Sequence, residues 1–395
     1  MFHLTPEDKL LVACAIADQS KMPEYVVTEE IDWNMLSRKA EQHRMWNFLA
    51  YNLAYYRSDI PNNFNLIFKG TIQDAKEKYK KRYEILSEIK EKFMLKDYKF
   101  VCLKGIGLVH TVYKEFPYIK KSGDVDMLVP LEKSEEIYKF LLNNQFECEE
   151  RSGSTINFYK TMVQHYPPIH RGDSWYEVHH RLNQFGETDI INCERLIDKC
   201  SYISMDGNRG IVDIPFTNPI DTILVLCNHQ YQHEYRELMY RFSLLADLAN
   251  TLLYYKDNID WCVFIDTVNN EKLNFAVCYS LYNTYHIFKE NLNIEVIDYQ
   301  IILDIMPGNF MDFKDRMRHR RLFTEKEFGH WQTEYSSRSW KNFGEWTGDY
   351  AERLFGDPIK TKLRFYFTYF MTKSQKEWEE ICEDIGFDKD DNLFI

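Results

Sequence analysis

Apolar side chains in the first hundred residues recur at helical spacing. Thr5-Pro6-Glu7-Asp8 predicts a helix start, because threonine caps a helix, proline suits its first turn and acids favour the positive end of its dipole. A second helix is predicted from just after Asp32 to about Tyr56, before Pro61 breaks the chain. The third predicted helix has one apolar stripe, at Ile72, Ala75, Tyr79, Leu86, Ile89 and Phe93. Residues 1–97 are therefore expected to form an N-terminal helical region.

The pattern changes after Asp97, where short apolar runs of strand length replace the long helical stripes. Strands are predicted at 100–103 and 125–129, helices at 106–114 and near 134–143, and alternating, strand-like segments around 145–150, 156–162 and 175–182. A strand–helix–strand unit that runs into further strands predicts a small mixed α/β core over residues 98–215.

Long apolar-periodic stretches return after Pro219, at 220–235, 238–255 and 261–290. They predict a helical region over residues 216–300, followed by an aromatic-rich C-terminal extension over residues 301–395. The predicted fold class is therefore α+β, with a small mixed-sheet core flanked by N- and C-terminal helical regions.

Two features of the extension have competing interpretations. The basic cluster of Arg316, Arg318, Arg320 and Arg321 is typical of a solvated helix face, and the alternative is a site for nucleic acid or a nucleotide tail. The aromatic run at 363–371 favours core packing over a membrane anchor, because basic residues bracket so short a segment.

Composition restricts the possible functions. The 395 residues include 49 Lys or Arg and 61 Asp or Glu, and the formal charge of −12 argues against broad DNA binding, which needs a positive field. No stretch approaches the roughly 20 apolar residues of a membrane helix, and the N-terminus lacks the pattern of a signal peptide. The nine cysteines form no CxxC pair. This spacing disfavours a zinc ribbon or disulfide framework and predicts a soluble protein of the reducing cytoplasm.

Candidate chemistry lies on the predicted core strands. Asp124 and Asp126 are two positions apart on a strand, so their side chains share a face and repel each other unless a cation lies between them. Mg²⁺, which prefers oxygen ligands, is the natural occupant. Gly105, where a strand turns into a helix, would let backbone amides approach a phosphate. The alternative is that Asp124 is a turn residue and Asp126 a partly exposed strand residue.

A third carboxylate lies on the strand predicted at 175–182. Glu177 is flanked by apolar residues, and His179 shares its face by the period of two. A carboxylate buried in a strand is costly unless it is paired or binds a metal. The alternative to a metal ligand is a salt bridge with Arg181 or a nearby lysine.

The chain resembles the polymerase-β-like nucleotidyltransferase superfamily in three elements, Leu103-Lys104-Gly105, Gly123-Asp124-Val125-Asp126-Met127-Leu128-Val129 and Tyr176-Glu177-Val178-His179. It resembles more closely a bacterial family of uncharacterised nucleotidyltransferases, in which a helical region with histidine- and aspartate-bearing segments follows. Here those segments are residues 228–233 and 245–248. The resemblance extends over about residues 30–255.

The resemblance implies a Mg²⁺-dependent enzyme of the two-metal type with a nucleoside triphosphate as co-substrate. Asp124, Asp126 and Glu177 would hold the metals, and Glu177 would also activate an acceptor hydroxyl for attack on the α-phosphate, with release of pyrophosphate. The implied nucleotide-binding residues are Lys104, Gly105, Lys120 and Gly123. Two positions depart from the pattern, because Gly105 is followed by Ile106 instead of serine, and Lys120 stands where arginine is common.

The acceptor is expected to bind against the helices after Pro219, where His179, His229 and Asp247 are predicted to converge on the carboxylates. His229 and His233 share a helical face, so a zinc site is a minor alternative to histidines that line a cleft. Asp247 either contacts substrate or pairs with Arg241 or His229. The acceptor itself stays open: a small molecule, a peptide, a protein side chain or an RNA end. A phosphotransferase that uses the same site, or a catalytically silent nucleotide- or partner-binding module, are the alternative functions.

Overall fold

A computed structural model describes residues 5–18, 30–56, 60–120, 122–148, 156, 159–160, 163–183, 191–207, 210–233, 241–308 and 310. These residues form helices and one seven-stranded mixed sheet, so the predicted α+β class is confirmed. They fall into two units, one within residues 1–128 and 189–324 and the other within 129–188. The basic cluster at 316–321 and the aromatic run at 363–371 lie outside the described residues.

Four helices precede the sheet: α1 (Pro6–Cys14), α2 (Trp33–Gln42), α3 (Trp46–Tyr56) and α4 (Asn62–Met94). The predicted start of α1 is confirmed, because the Thr5 hydroxyl accepts a hydrogen bond from the Asp8 N–H and the Asp8 carboxylate accepts one from the Thr5 N–H. This reciprocal pair satisfies two amide donors that the helix itself leaves unpaired. The apolar stripe predicted between residues 72 and 93 lies on α4.

The prediction of one helix from residue 33 to 56 is wrong, because the chain turns between α2 and α3. Arg44 has a φ of 55°, in the left-handed region that ends a helix. The Met45 N–H then donates to the Ala40 carbonyl at 2.8 Å, the long hydrogen bond of such an ending. Lys272, with a φ of 56°, ends another helix in the same way and divides the helix predicted at 261–290.

The sheet begins with β1 (Val101–Cys102), α5 (Gly105–His110) and β2 (Asp124–Leu128). Farther along the chain, this unit contains helix α7 (Cys193–Asp198) and a hairpin of β6 (Ser201–Gly207) and β7 (Gly210–Phe216). The sequence did not predict this hairpin. Strand β1 pairs antiparallel with β2 and parallel with β7. Its register places Cys102 opposite both Met127 and Phe216, so β1 is flanked on both sides and fully buried.

The other unit contains α6 (Ser134–Leu142) and the strands β3 (Glu147–Cys148), β4 (Ile169–Arg171) and β5 (Ser174–His179). These strands pair antiparallel in succession, β3 with β4 and β4 with β5. The strand order within this unit is β3-β4-β5, and within the first unit it is β2-β1-β7-β6. Residues 156, 159 and 160 are helical, although alternation there predicts a strand, because a period of two is a weak signal over so few residues.

Five helices follow the sheet: α8 (Pro219–Tyr231), α9 (Phe242–Tyr255), α10 (Trp261–Asn270), α11 (Asn274–Leu292) and α12 (Tyr299–Ile305). Helix α8 packs on both α9 and α11, and its residues 222–228 are buried almost without interruption. Within the described part of the chain, no helix combines the length and the apolar character needed to cross a bilayer.

We expect His43 to make folding sensitive to acid. Burial lowers the pKa of His43 to about 3, and its Nδ1 accepts a hydrogen bond from the Phe242 N–H at 3.2 Å, which requires the neutral ring. Between pH 6.5 and 3 the unfolded chain therefore binds a proton that the folded chain does not. The contribution of His43 to the free energy of unfolding is therefore complete above pH 6.5. Within this window it falls by about 1.4 kcal/mol for each unit by which the pH decreases.

Urea unfolding of the wild type and His43→Gln at pH 7, 6 and 5 measures this effect. Glutamine still offers an acceptor to Phe242 but does not titrate, so the variant should lose free energy of unfolding less steeply as the pH falls. Parallel curves for the two proteins would show that His43 does not set the acid sensitivity.

Candidate active site

Strand β2 presents the Gly-Asp-x-Asp segment at the centre of the sheet. Val125 and Met127 are fully buried in the core, whereas Asp124 is half-buried and Asp126 is 4% exposed. The alternation places the two aspartates on the face opposite Val125 and Met127. The main chain of Asp126 is fixed by the Leu103 N–H, which donates to its carbonyl at 2.9 Å.

Glu177 and His179 lie together on strand β5. The period of two places them on one face, and the Glu177 Oε2 to His179 Nε2 distance is 3.3 Å. A carboxylate and an imidazole are both ligands that divalent cations such as Mn²⁺ accept.

The assignment of Asp124, Asp126 and Glu177 as metal ligands, and of His179 to the acceptor side, stays a prediction. The alternative partner of Glu177, Arg181, directs its guanidinium to the carbonyl of Lys160 at 3.1 Å.

Lys104 contacts Asp126 from a strained backbone. Its Nζ lies 3.1 Å from the Asp126 Oδ1, and its side chain is 17% exposed. Its φ of 47° and ψ of −132° belong to a region that glycine adopts readily and side-chain-bearing residues rarely do. Strain of this kind concentrates where a side chain is needed for function.

Gly105 and Gly107 allow helix α5 to lie close to its neighbours. A Cβ at Gly105 would lie 2.3 Å from the Ser122 Oγ, and one at Gly107 would lie 1.8 Å from the Phe216 ring. The Ser122 hydroxyl in turn donates to the Asp124 carbonyl at 2.7 Å. Gly105 therefore brings the start of α5, and with it Lys104, against the loop that leads into Gly-Asp-x-Asp.

Arg82 of α4 also binds this loop. It is 4% exposed, and its two terminal nitrogens donate to the Ser122 carbonyl at 2.5 Å and to the Gly123 carbonyl at 2.7 Å. Gly123, predicted as a nucleotide contact, is thus anchored through its carbonyl. Arg82 was not predicted as a site residue. Its signal in the sequence is a charged residue on the apolar stripe, three residues after Tyr79.

Lys120 and Asp247 form an ion pair. From the sequence, Lys120 is predicted to bind the nucleotide and Asp247 is predicted to lie on the acceptor side. Asp247 is buried, and its other carboxylate oxygen accepts a hydrogen bond from the Tyr113 hydroxyl at 2.8 Å. Burial, and then the charge of Asp247, raise the pKa of Tyr113 well above its usual value, so this hydroxyl stays protonated and donates. These partners of Asp247 differ from the predicted Arg241 and His229.

His229 and His233 lie side by side at the end of α8, with their Nε2 atoms 3.0 Å apart. Burial lowers the pKa of His229 well below its usual value, and the positive charges of Lys104, Lys120 and Arg241 act in the same direction. His229 is therefore neutral, with both lysines close enough to influence its charge. Within the part of the chain that the structure describes, no third ligand completes a metal site with this pair, so the zinc alternative gains no support.

A family model described as "Uncharacterised nucleotidyltransferase" matches residues 29–289, more than half of the 395-residue chain. The matched range contains Lys104, Asp126, Glu177 and Asp247. No curated protein matches the chain.

Proposed function

The chain belongs to the uncharacterised nucleotidyltransferase family, and from this we propose that it moves a nucleoside monophosphate group from a nucleoside triphosphate to an acceptor nucleophile. The observation that supports the proposal is the buried carboxylate of Asp126, whose Oδ1 lies 3.1 Å from the Lys104 ammonium. Phosphoryl-group chemistry requires negative ligands for a cation and a positive side chain for a phosphate. Ancestry in the polymerase-β-like superfamily is part of this proposal.

In the proposed reaction the acceptor oxygen forms a bond to the α-phosphorus, and the bond from this phosphorus to the bridging oxygen of pyrophosphate breaks. Glu177 accepts the proton of the acceptor hydroxyl as that bond forms. Lys104 and Lys120 neutralise charge on the β- and γ-phosphates, while Gly105 and Gly123 leave room for the phosphates to approach the backbone.

The proposed metal is Mg²⁺ of the two-metal type, held by Asp124, Asp126 and Glu177. A bound divalent cation supplies charge stabilisation to the attacking and leaving oxygens. His179 contacts Glu177 and could add a nitrogen donor, which suits Mn²⁺ better than Mg²⁺, so activity should be compared with both cations.

The acceptor is proposed to bind on the side of His229 and Asp247, on helices α8 and α9. Its chemical class stays open among a small molecule, a peptide, a protein side chain and an RNA end. The alternative functions are phosphotransfer from the same site and nucleotide binding without catalysis.

Incubation of the full-length protein with cell extract, Mg²⁺ or Mn²⁺ and each nucleoside triphosphate tests the proposal. Triphosphates labelled at the α- or γ-phosphate are compared, with Asp126→Asn as the control. We expect an acceptor to receive the α-label, with stoichiometric release of pyrophosphate, and Asp126→Asn to transfer none. Transfer of the γ-label would identify a phosphotransferase, and triphosphate binding without transfer of either label would identify a silent module.

A further inference from the structure

Lys104 pairs with a carboxylate that the proposed function assigns to the metal. The Asp126 Oδ1 lies 3.1 Å from the Lys104 Nζ. Both partners of the ion pair are largely shielded from water, with 17% and 5% of their side chains exposed. Two positive charges held this close to one shielded carboxylate repel each other, because little water screens them.

The contact of Lys104 with Asp126 comes with an unfavourable backbone conformation at Lys104. A φ of 47° with a ψ of −132° is unfavourable for lysine and favourable for glycine. The chain therefore accepts a cost in stability to place an ammonium group against a potential metal ligand.

We propose that Lys104 is an internal competitor of the metal ion at Asp126. A divalent cation alone binds weakly, because it must displace the ammonium group from Asp126. A triphosphate offers that ammonium group another anionic partner, so cation and nucleotide bind cooperatively and each strengthens the other by the same factor. This inference rests on the proposed function, since it describes the regulation of the same site.

Removal of the ammonium group should therefore strengthen binding of the metal alone. We expect Lys104→Met to bind Mn²⁺ about tenfold more tightly than the wild type in the absence of nucleotide, a coupling of ordinary size for neighbouring sites. Free Mn²⁺ in a titration is measured by electron paramagnetic resonance on the full-length protein. A lysine with a merely structural role would give the opposite sign, because its loss would loosen the site.

Lys99→Met is the matched control. Lys99 also pairs with an aspartate, with its Nζ 3.1 Å from Asp198 Oδ1, but that pair is exposed. The substitution removes the same charge and should leave Mn²⁺ affinity unchanged. Lys104→Gly is the second variant, because glycine relieves the strained backbone; it should show the same gain in affinity together with a higher unfolding temperature.

Asp126→Asn separates failure of this inference from failure of the proposed function. If Asp126→Asn loses Mn²⁺ binding and neither Lys104 variant binds Mn²⁺ more tightly than the wild type, the competition is overturned and the metal site stands. If Asp126→Asn binds Mn²⁺ like the wild type, the metal site is elsewhere and both proposals fail.

Discussion

Glu177→Gln should reduce the rate of nucleotidyl transfer by about 10²- to 10⁴-fold, the usual contribution of a general base. Glutamine keeps the size of the side chain on strand β5 and one carbonyl oxygen near His179, but it cannot accept the acceptor proton at neutral pH. The loss acts on the transition state, so triphosphate affinity should stay within about tenfold of the wild type. Single-turnover transfer of an α-labelled nucleotide measures the rate, and calorimetry measures the affinity.

Glu147→Gln provides the control for Glu177→Gln. Glu147 is an exposed carboxylate on β3, in the same unit as Glu177, and its substitution removes the same charge. It should retain wild-type turnover. Full activity of Glu177→Gln would assign Glu177 a structural role, in which its contact with His179 serves to orient the histidine.

The second large effect concerns stability. Arg82→Met should lower the free energy of unfolding by about 3 kcal/mol, because the carbonyls of Ser122 and Gly123 both lose a charged donor, and hydrogen bonds to charged groups contribute about 1.5–3 kcal/mol each. Methionine preserves much of the apolar stem, so loss of packing is a minor part of the effect. Urea unfolding measures the change.

Lys80→Met, an exposed position on the same helix α4, is the comparison for Arg82→Met. It should change the free energy of unfolding by no more than about 0.5 kcal/mol, as is usual for surface substitutions. Arg82→Lys keeps the charge but not the two-pronged geometry, and it should lie between the two methionine variants. Equal stability of Arg82→Met and Lys80→Met would show that the loop before Asp124 does not depend on Arg82.

Local patterns in the sequence sufficed for most of the secondary structure near the site. The stripe on α4, the buried strands β1 and β2 and the turn at Gly105 all follow from the spacing of apolar residues and from glycine, which act over a few residues. The breaks at Arg44 and Lys272, which divide two predicted helices, were not predicted. An arginine or lysine in the left-handed conformation leaves no local signal in the sequence. Arg44 directly follows His43, whose ring accepts a hydrogen bond from Phe242, 199 residues away.

By itself, then, the sequence determined the α+β class and the chemical types of the site residues, because periodicity and motif spacing are properties of neighbouring positions. Only the tertiary structure decided which of these residues meet. Arg82 reaches the loop before Asp124 across 40 residues, Lys120 pairs with Asp247 across 127, and Tyr113 bonds to Asp247 across 134. Such pairings depend on how helices and strands pack, and packing brings together residues whose distance along the chain has no fixed relation to their distance in space.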